Sequence, residues 1–417
     1  MHGVRVGEVA NGEAARYGKP LDGVRVLALE QMQAVPFATQ LLARLGADVV
    51  KVEAPSGESG RASLPAIEDP DGRRVGATFL RNNLGKRSVA VDLKSDTGRQ
   101  LFLDLAPRFD VVAENFKAGT MDRLGLGYDA VRAVHPTVIY ASVSGFGSHG
   151  SPYAGWPAYA SIVEGMSGIY EYTRRPEEPP RANPVGALGD ISSALFATVG
   201  ILAALRHREA TGEGQQVDVA MLDATVAMTD IVTNFASMGM ARQPYPPPYI
   251  LDTFRAADGW FVIQVVREHQ FNRLAETVGR PEWLDDPRLT DRRGWGEHLE
   301  DVIRPGVEEW ASGRTKLGAA EALMATGVAA GPCLDSSEVI ADPHLAAHGM
   351  LVAMERTDGV DQPVLVPGNP VKLSKVPEGA ERRVPWVGEH TGEVLGAELD
   401  LDESQLAALA EAGIISQ

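Results

Sequence analysis

The sequence predicts an α/β protein, and three observations carry that expectation. A strand pattern, a helix pattern and a second strand pattern follow one another between Val24 and Glu53, and a crossover of that kind joins parallel strands. The alternation resumes beyond residue 87. The chain has 417 residues, 44% of them apolar and 23% charged, which at roughly 150 residues per domain suits two or three domains of globular composition. That balance argues against wholesale disorder and against fibrous architecture.

Residues 1–19 are polar and rich in glycine and alanine, with no apolar block of signal-peptide length, and read as a loose arm. Val24–Leu29 is the first strand. Pro36 to Leu45 spaces its apolar residues helically and Gly46 ends that helix; Asp48–Glu53 is the next strand. Arg87 to Leu93 reads as a strand, Thr97 to Ala106 as a helix, and Asp110 to Asn115 and Thr137 to Val143 as further strands. Asp190 to His207 is one long helix, apolar on nearly all sides and rich in small residues, so neighbours must approach it closely. Its apolar run Ala194–Leu205 is shorter than the roughly 20 residues that span a bilayer, which marks a buried core helix. Arg206, His207 and Arg208 complement its C-terminal dipole. The turn Thr211–Gly214 leads to a strand at Gln216–Ala220 and a helix from Leu222 to Met238. The Pro-rich stretch Gln243–Tyr249 resists regular structure and is the expected linker. An Asp258-Gly259 turn then opens a strand at Trp260–Val265, and helical patterns run to about Ala329 as a smaller domain. From Gly331 onward come mixed short strands and an amphipathic helix at Glu403–Ala412.

With 39 basic against 56 acidic side chains the formal net charge is −17, which repels nucleic acid and anionic membranes as a whole. A phosphate-bearing ligand therefore needs a local basic site. The single cysteine, Cys333, makes neither an internal disulfide nor a thiolate cluster, which points to a reducing compartment and a cytoplasmic location. The nine histidines are scattered, without a His-Glu-x-x-His pair, so no metal centre is expected. No Gly-x-Ser-x-Gly elbow supports a serine triad. The loop after the first strand, Glu30 to Pro36, contains no glycine, which argues against the usual NAD or FAD mode. Its amides and the Gln33 side chain remain available to face another ligand. Carboxylates are left as the chemistry-bearing groups. Asp190, after Gly189 and before the long helix, reads either as an N-cap or as a nucleophile, and a helix N-terminus favours the anion in both roles.

Seven segments occur in an order and spacing that resemble one family: Leu21–Leu27, Leu45–Glu53, Lys86-Arg87-Ser88, Glu114-Asn115-Phe116, Leu188-Gly189-Asp190, Thr211–Gln215 and Gly388–Thr391. They look like those of class III CoA-transferases, the group that includes formyl-CoA transferase, carnitine CoA-transferase and α-methylacyl-CoA racemase. Together they run from about Leu21 to Thr391, nearly the whole chain.

The resemblance implies a Rossmann-like large domain built from N- and C-terminal parts (20–242 and 331–417), a smaller α+β domain with its linker (243–330), and an interlocked homodimer. It implies that Asp190 is the catalytic nucleophile, which takes coenzyme A from an acyl-CoA as an aspartyl thioester and passes it to a carboxylic acid, without a permanently bound cofactor. Positions matching CoA contacts are Gln33, Ala34, Val91, Lys94, Asn115, Phe116 and Arg123, with Lys94 and Arg123 supplying charge for the CoA phosphates. Tyr159 matches a substrate-side position that is a histidine in the family's racemases, and a tyrosine near its ordinary pKa of about 10 is a poor proton shuttle at neutral pH. The neighbouring position, often acidic in the family, is Ala160, so no second carboxylate is expected there. The Gly-rich loop of formyl-CoA:oxalate transferases has no counterpart between Met238 and Trp260, which weakens oxalate or formate as the acid. His390 resembles a family position and is expected to be structural. An acyl-CoA racemase or isomerase, and a catalytically silent CoA-binding protein, remain as alternatives.

Overall fold

The computed structural model describes residues 18–184, 186–354, 356, 358–374, 376 and 383–416. Residues 1–17 of the expected arm lie outside them. The described residues fall into two compact units, one drawn from Met1–Tyr170, Ala182–Asn234 and Ala346–Gln417, the other from Glu171–Arg181 and Phe235–Leu345.

The first unit is built on a seven-stranded sheet: β1 (Arg25–Leu29), β2 (Asp48–Glu53), β3 (Arg87–Val91), β4 (Val111–Glu114), β5 (Ile139–Ser144), β6 (Gln215–Ala220) and β7 (Ile415–Ser416). Their order is β7-β3-β2-β1-β4-β5-β6. The first six are parallel, while β7 runs antiparallel to β3 with Ile415 opposite Val91. The chain lays β2 and β3 to one side of β1, then returns to the other side with β4, β5 and β6. This is the doubly wound order, with its reversal between β1 and β4.

Alternation along each strand explains why both faces are covered. Val26, Ala28, Val49, Val111 and Ala113 pack against helices α1 (Ala34–Arg44) and, further along the chain, Leu188–Thr211. Leu27, Leu29, Val50, Val52, Val89 and Val112 pack on the opposite face against helices Asp96–Leu105 and Thr391–Leu399. Full burial of each large side chain contributes roughly 1.5–3 kcal/mol. Two further helices matter to the cleft described below, α2 (Ala77–Asn82) and α3 (Ala160–Met166), together with α4, the long Leu188–Thr211 element. Length and composition would let α4 cross a bilayer, yet Ala194, Ala197, Ile201 and Ala204 are buried in the sheet core. Gly200 permits that approach, since a Cβ there would lie 2.6 Å from Val217 of β6.

Several expected boundaries move. Helix α1 starts at Ala34, and Pro36 stands in its first turn, where the missing N–H leaves no bond unmade. Helix α4 begins at Leu188 and ends against Gly212 in the left-handed region. Asp190 is therefore the third residue of the helix and not its N-cap; Ala187 holds the cap position and makes no side-chain cap bond. The expected helix Leu222–Met238 is two helices, Met221–Met228 and Asp230–Ser237.

The second unit has its own three-stranded antiparallel sheet of Ile250–Ala256, Gly259–Val265 and Ala329–Pro332. The first of these escaped the sequence reading although Ile250, Phe254 and Ala256 alternate as buried positions. Pairing of Ala329–Pro332 with Gly259–Val265 carries the chain past Gly331 within this unit. Its core includes Phe271 stacked on Trp295 with ring centroids 4.5 Å apart.

Candidate active site

A cleft of about 610 Å³ opens in the first unit at the carboxyl ends of β1, β4 and β5, the location expected for a ligand where the strand order reverses. Its wall is formed by Gln31–Ala34 after β1, Asn115–Ala118 after β4, Ser144–Phe146 at the end of β5, Ala154 and Trp156–Ser161 leading into α3, and Gly186, Ala187 and Asp190 at the start of α4.

Two bonds sew the first two loops together. The Asn115 side chain accepts from the Gln31 backbone N–H at 2.9 Å and donates to the Gln31 carbonyl at 2.8 Å. Glu114, buried beside it, accepts from the Phe116 backbone N–H at 2.8 Å, and burial pushes its carboxyl up to about 7.

Beneath the first loop lies an ionic cluster that is fully closed to solvent. Lys86 Nζ donates to Glu30 at 2.6 Å, to the Pro36 carbonyl at 2.9 Å and to Asn83 at 2.9 Å. Lys51 Nζ donates to the Glu30 carbonyl at 3.1 Å, and Thr39 donates to the Glu30 carboxylate at 2.6 Å. Burial alone raises the Glu30 carboxyl, but Lys86 and Lys51 outweigh it and hold it below the usual range. Burial brings the Lys86 ammonium down to about 8. Each buried charge is thus paired and hydrogen-bonded, the condition under which such a group is tolerated.

Asp190 lies half-buried in the first turn of α4, and its carboxylate has no hydrogen-bond partner among the described residues. Burial first, then the Glu164 carboxylate, pushes it up to about 6, against the Arg81 guanidinium of α2. Glu164 projects from α3, accepts from the Gly189 backbone N–H at 3.3 Å and from the Tyr170 hydroxyl at 2.6 Å, and is 1% exposed. Backbone strain gathers here: Met32 and Ala187, both in the cleft wall, are among four described non-glycine residues with positive φ. Two buried polar atoms of the wall, Gln33 Nε2 and Ser144 Oγ, make no hydrogen bond.

Of the residues singled out from sequence, the fold brings Gln33, Ala34, Asn115, Phe116, Tyr159 and Asp190 into this one cleft. Tyr159 is 75% exposed. Val91, Lys94 and Arg123 are not in its wall. Val91 is buried at the end of β3. Lys94 is exposed, its carbonyl accepting from Arg99 at 2.7 Å. Arg123 is exposed and donates to the Thr120 hydroxyl at 2.9 Å. His390 exchanges backbone and ring bonds with Ser88 of β3, at 2.9 and 3.3 Å. Glu164, Arg81, Lys117 and Ser144 were not singled out. Glu164 had a sequence signal, one helical turn beyond Ala160, and Lys117 directly follows Phe116.

Residues 21–391 match CoA-transferase family III. A succinyl-CoA:mesaconate CoA-transferase of Haloarcula hispanica is 37% identical over 391 residues, covering 90% of this chain and 95% of its own. A formyl-CoA:oxalate CoA-transferase of Streptomyces coelicolor is 34% identical, with 95% and 99% coverage. Among solved structures, a CAIB/BAIF family protein from Brucella suis superposes with a TM-score of 0.80 at 32% identity, covering 91% of this chain and 100% of that one.

Proposed function

This chain belongs to CoA-transferase family III, the class III CoA-transferases, and we propose that it carries coenzyme A from an acyl-CoA thioester to a carboxylic acid through a covalent intermediate on Asp190. The observation that carries the proposal is an unengaged, half-buried carboxylate on the wall of a cleft at the switch point of the sheet. Its basicity, raised toward 6 by burial and by Glu164, still leaves it ionised at neutral pH.

Asp190 attacks the thioester carbonyl carbon, which forms a mixed anhydride and expels CoA thiolate. The thiolate then attacks the aspartyl carbonyl, forming the aspartyl-CoA thioester and releasing the first acid as its carboxylate. The incoming carboxylate attacks that thioester to give a second anhydride and thiolate, and attack of the thiolate on the acceptor's acyl carbon restores Asp190. Gln33 Nε2, buried and unpartnered in the wall of the same cleft, is the donor we assign to an oxygen that gains charge in these steps. CoA is assigned to Gln33, Ala34, Asn115 and Phe116 in the cleft wall and, on the resemblance alone, to Val91, Lys94 and Arg123 outside it, and the acid side to Tyr159.

Lys94→Ala and Arg123→Ala are each expected to raise the KM for acyl-CoA roughly tenfold or more with the fold unchanged, since a charge-assisted phosphate contact contributes about 1.5–3 kcal/mol. Equal CoA affinity in parent and variants, read by calorimetry, would remove these two assignments. An interlocked homodimer is supported by the apolar side chains that the first unit leaves exposed on α3 and α4, Ile162, Leu195, Phe196 and Val199 among them. A reducing, cytoplasmic setting suits the exposed free thiol of Cys333.

The test is incubation with labelled acyl-CoA donors and a panel of mono- and dicarboxylates, read by mass spectrometry. Two relatives are named for mesaconate and oxalate, so dicarboxylates come first. Movement of CoA to an added acid is the expected result. Deuterium exchange at the α-carbon without transfer makes the enzyme a racemase, and CoA binding with neither activity makes it a binding protein.

A further inference from the structure

We propose that Glu164 is a positioning residue for this reaction: its buried carboxylate caps α4 from a neighbouring helix and stands as a second negative charge beside Asp190. The inference rests on Asp190 as the nucleophile and deepens that reading.

The first four N–H groups of a helix lack partners within it, and Ala187 at the cap position of α4 has no side chain able to accept one. Glu164 accepts from Gly189, the residue before Asp190, at 3.3 Å, so the missing cap is supplied by α3. The contact depends on a glycine. A Cβ at residue 189 would lie 2.7 Å from Val163 Cγ2 and 3.1 Å from Ala160 Cα, which would push α3 away. Isolated, a carboxylate this deeply buried would be costly; here its second oxygen is held by the Tyr170 hydroxyl at 2.6 Å. Position 160, at the start of α3, is an alanine, and the carboxylate appears one turn later on the same face.

The charged groups facing Asp190 are Glu164 from α3 and Arg81 from α2, with Lys117 in the cleft wall on the loop after β4. Glu164 faces Asp190 and Tyr170. Glu164 raises the basicity of the nucleophile and Arg81 lowers it. Tyr170, by donating to Glu164, draws off part of the charge that Asp190 senses. Opposite effects follow for the two supporting side chains.

The experiment compares pH–rate profiles of CoA transfer for the full-length parent, Glu164→Gln and Tyr170→Phe, with thermal melts and ¹³C-carboxylate titration of Asp190 alongside. Glu164→Gln keeps a carbonyl acceptor for Gly189 and removes only the charge. Its acid limb is expected to fall by roughly half to one pH unit, so that the fraction of full activity kept at pH 5 rises about three- to fivefold. Tyr170→Phe is expected to move the limb upward. If Glu164→Gln fails to fold, Tyr170→Phe still decides, because it leaves the cap in place. An unmoved Asp190 titration, or a shift of the same sign in both variants, overturns the role of Glu164. Transfer activity retained by Asp190→Asn overturns instead the reading beneath it.

Discussion

Asp190→Asn is expected to abolish CoA transfer and at the same time to melt at a higher temperature than the parent at pH 7. An amide cannot form the mixed anhydride, so the loss is in the chemical step. The stabilisation follows from the same burial that makes the carboxylate basic. Its pKa rises on folding from 3.8 to about 6, so the folded chain holds this proton more tightly than the unfolded chain. The stability contributed by that proton is complete below about pH 4 and is lost as the pH rises through about 6. At pH 7 the missing stability is on the order of 3 kcal/mol, which the neutral amide recovers in large part. Attraction of the anion to the helix N-terminus, about 0.3–1 kcal/mol, opposes this and is smaller. No cap is lost either, because Asp190 is the third residue of α4. Thermal scans should show the advantage of the variant shrinking from pH 7 to pH 4. Borohydride or hydroxylamine trapping with acyl-CoA should mark the parent at residue 190 and leave the variant unmarked. A variant that transfers CoA normally would return Asp190 to an ordinary side chain of the first turn.

The largest stability loss is expected from Glu30→Ala. The variant leaves Lys86, closed to solvent, without the carboxylate that pairs it, and leaves Lys51 with Glu58 alone at 3.5 Å; a buried charge stripped of its partner costs about 3–5 kcal/mol. Activity should fall with it, since Lys86 also holds the Pro36 carbonyl and Lys51 the Glu30 carbonyl, and the loop between those points carries Gln33. Combining Glu30→Leu with Lys86→Met should restore much of the stability while leaving the KM for acyl-CoA raised, because an apolar pair fills the volume without the bond from residue 86 to the Pro36 carbonyl. Urea unfolding of the three proteins measures this. A loss below about 1 kcal/mol for Glu30→Ala would mean that solvent reaches the cluster and screens it.

Much of the first unit was legible before folding. Apolar runs at Val24–Leu29 and Asp48–Glu53 around a helical pattern demand a parallel pair, because a strand buried on both faces and a helix with one apolar stripe have few other ways to pack. The order of seven local segments was enough to recognise the family and, through it, to single out Asp190 as the proposed nucleophile. Short pairing elements were not legible: Ile415–Ser416 has two residues and no period, and only its partner β3 makes it a strand.

The cleft itself divides the same way. Gln33, Ala34, Asn115 and Phe116 follow directly on strand patterns, so their place at the carboxyl ends is implied once the strands are parallel. What chain order does not encode is distance in space. Arg81 precedes Asp190 by more than a hundred residues and Glu164 does so by 26; Glu164 reaches it because Gly189 lets α3 touch α4, and Arg81 stands on α2, where its carbonyl accepts from Gln40 of α1 at 2.7 Å. Residue types and local periods specify which elements form, whereas the electrostatics of Asp190 depend on charges and burial brought in by elements remote in sequence, and these exist only after packing.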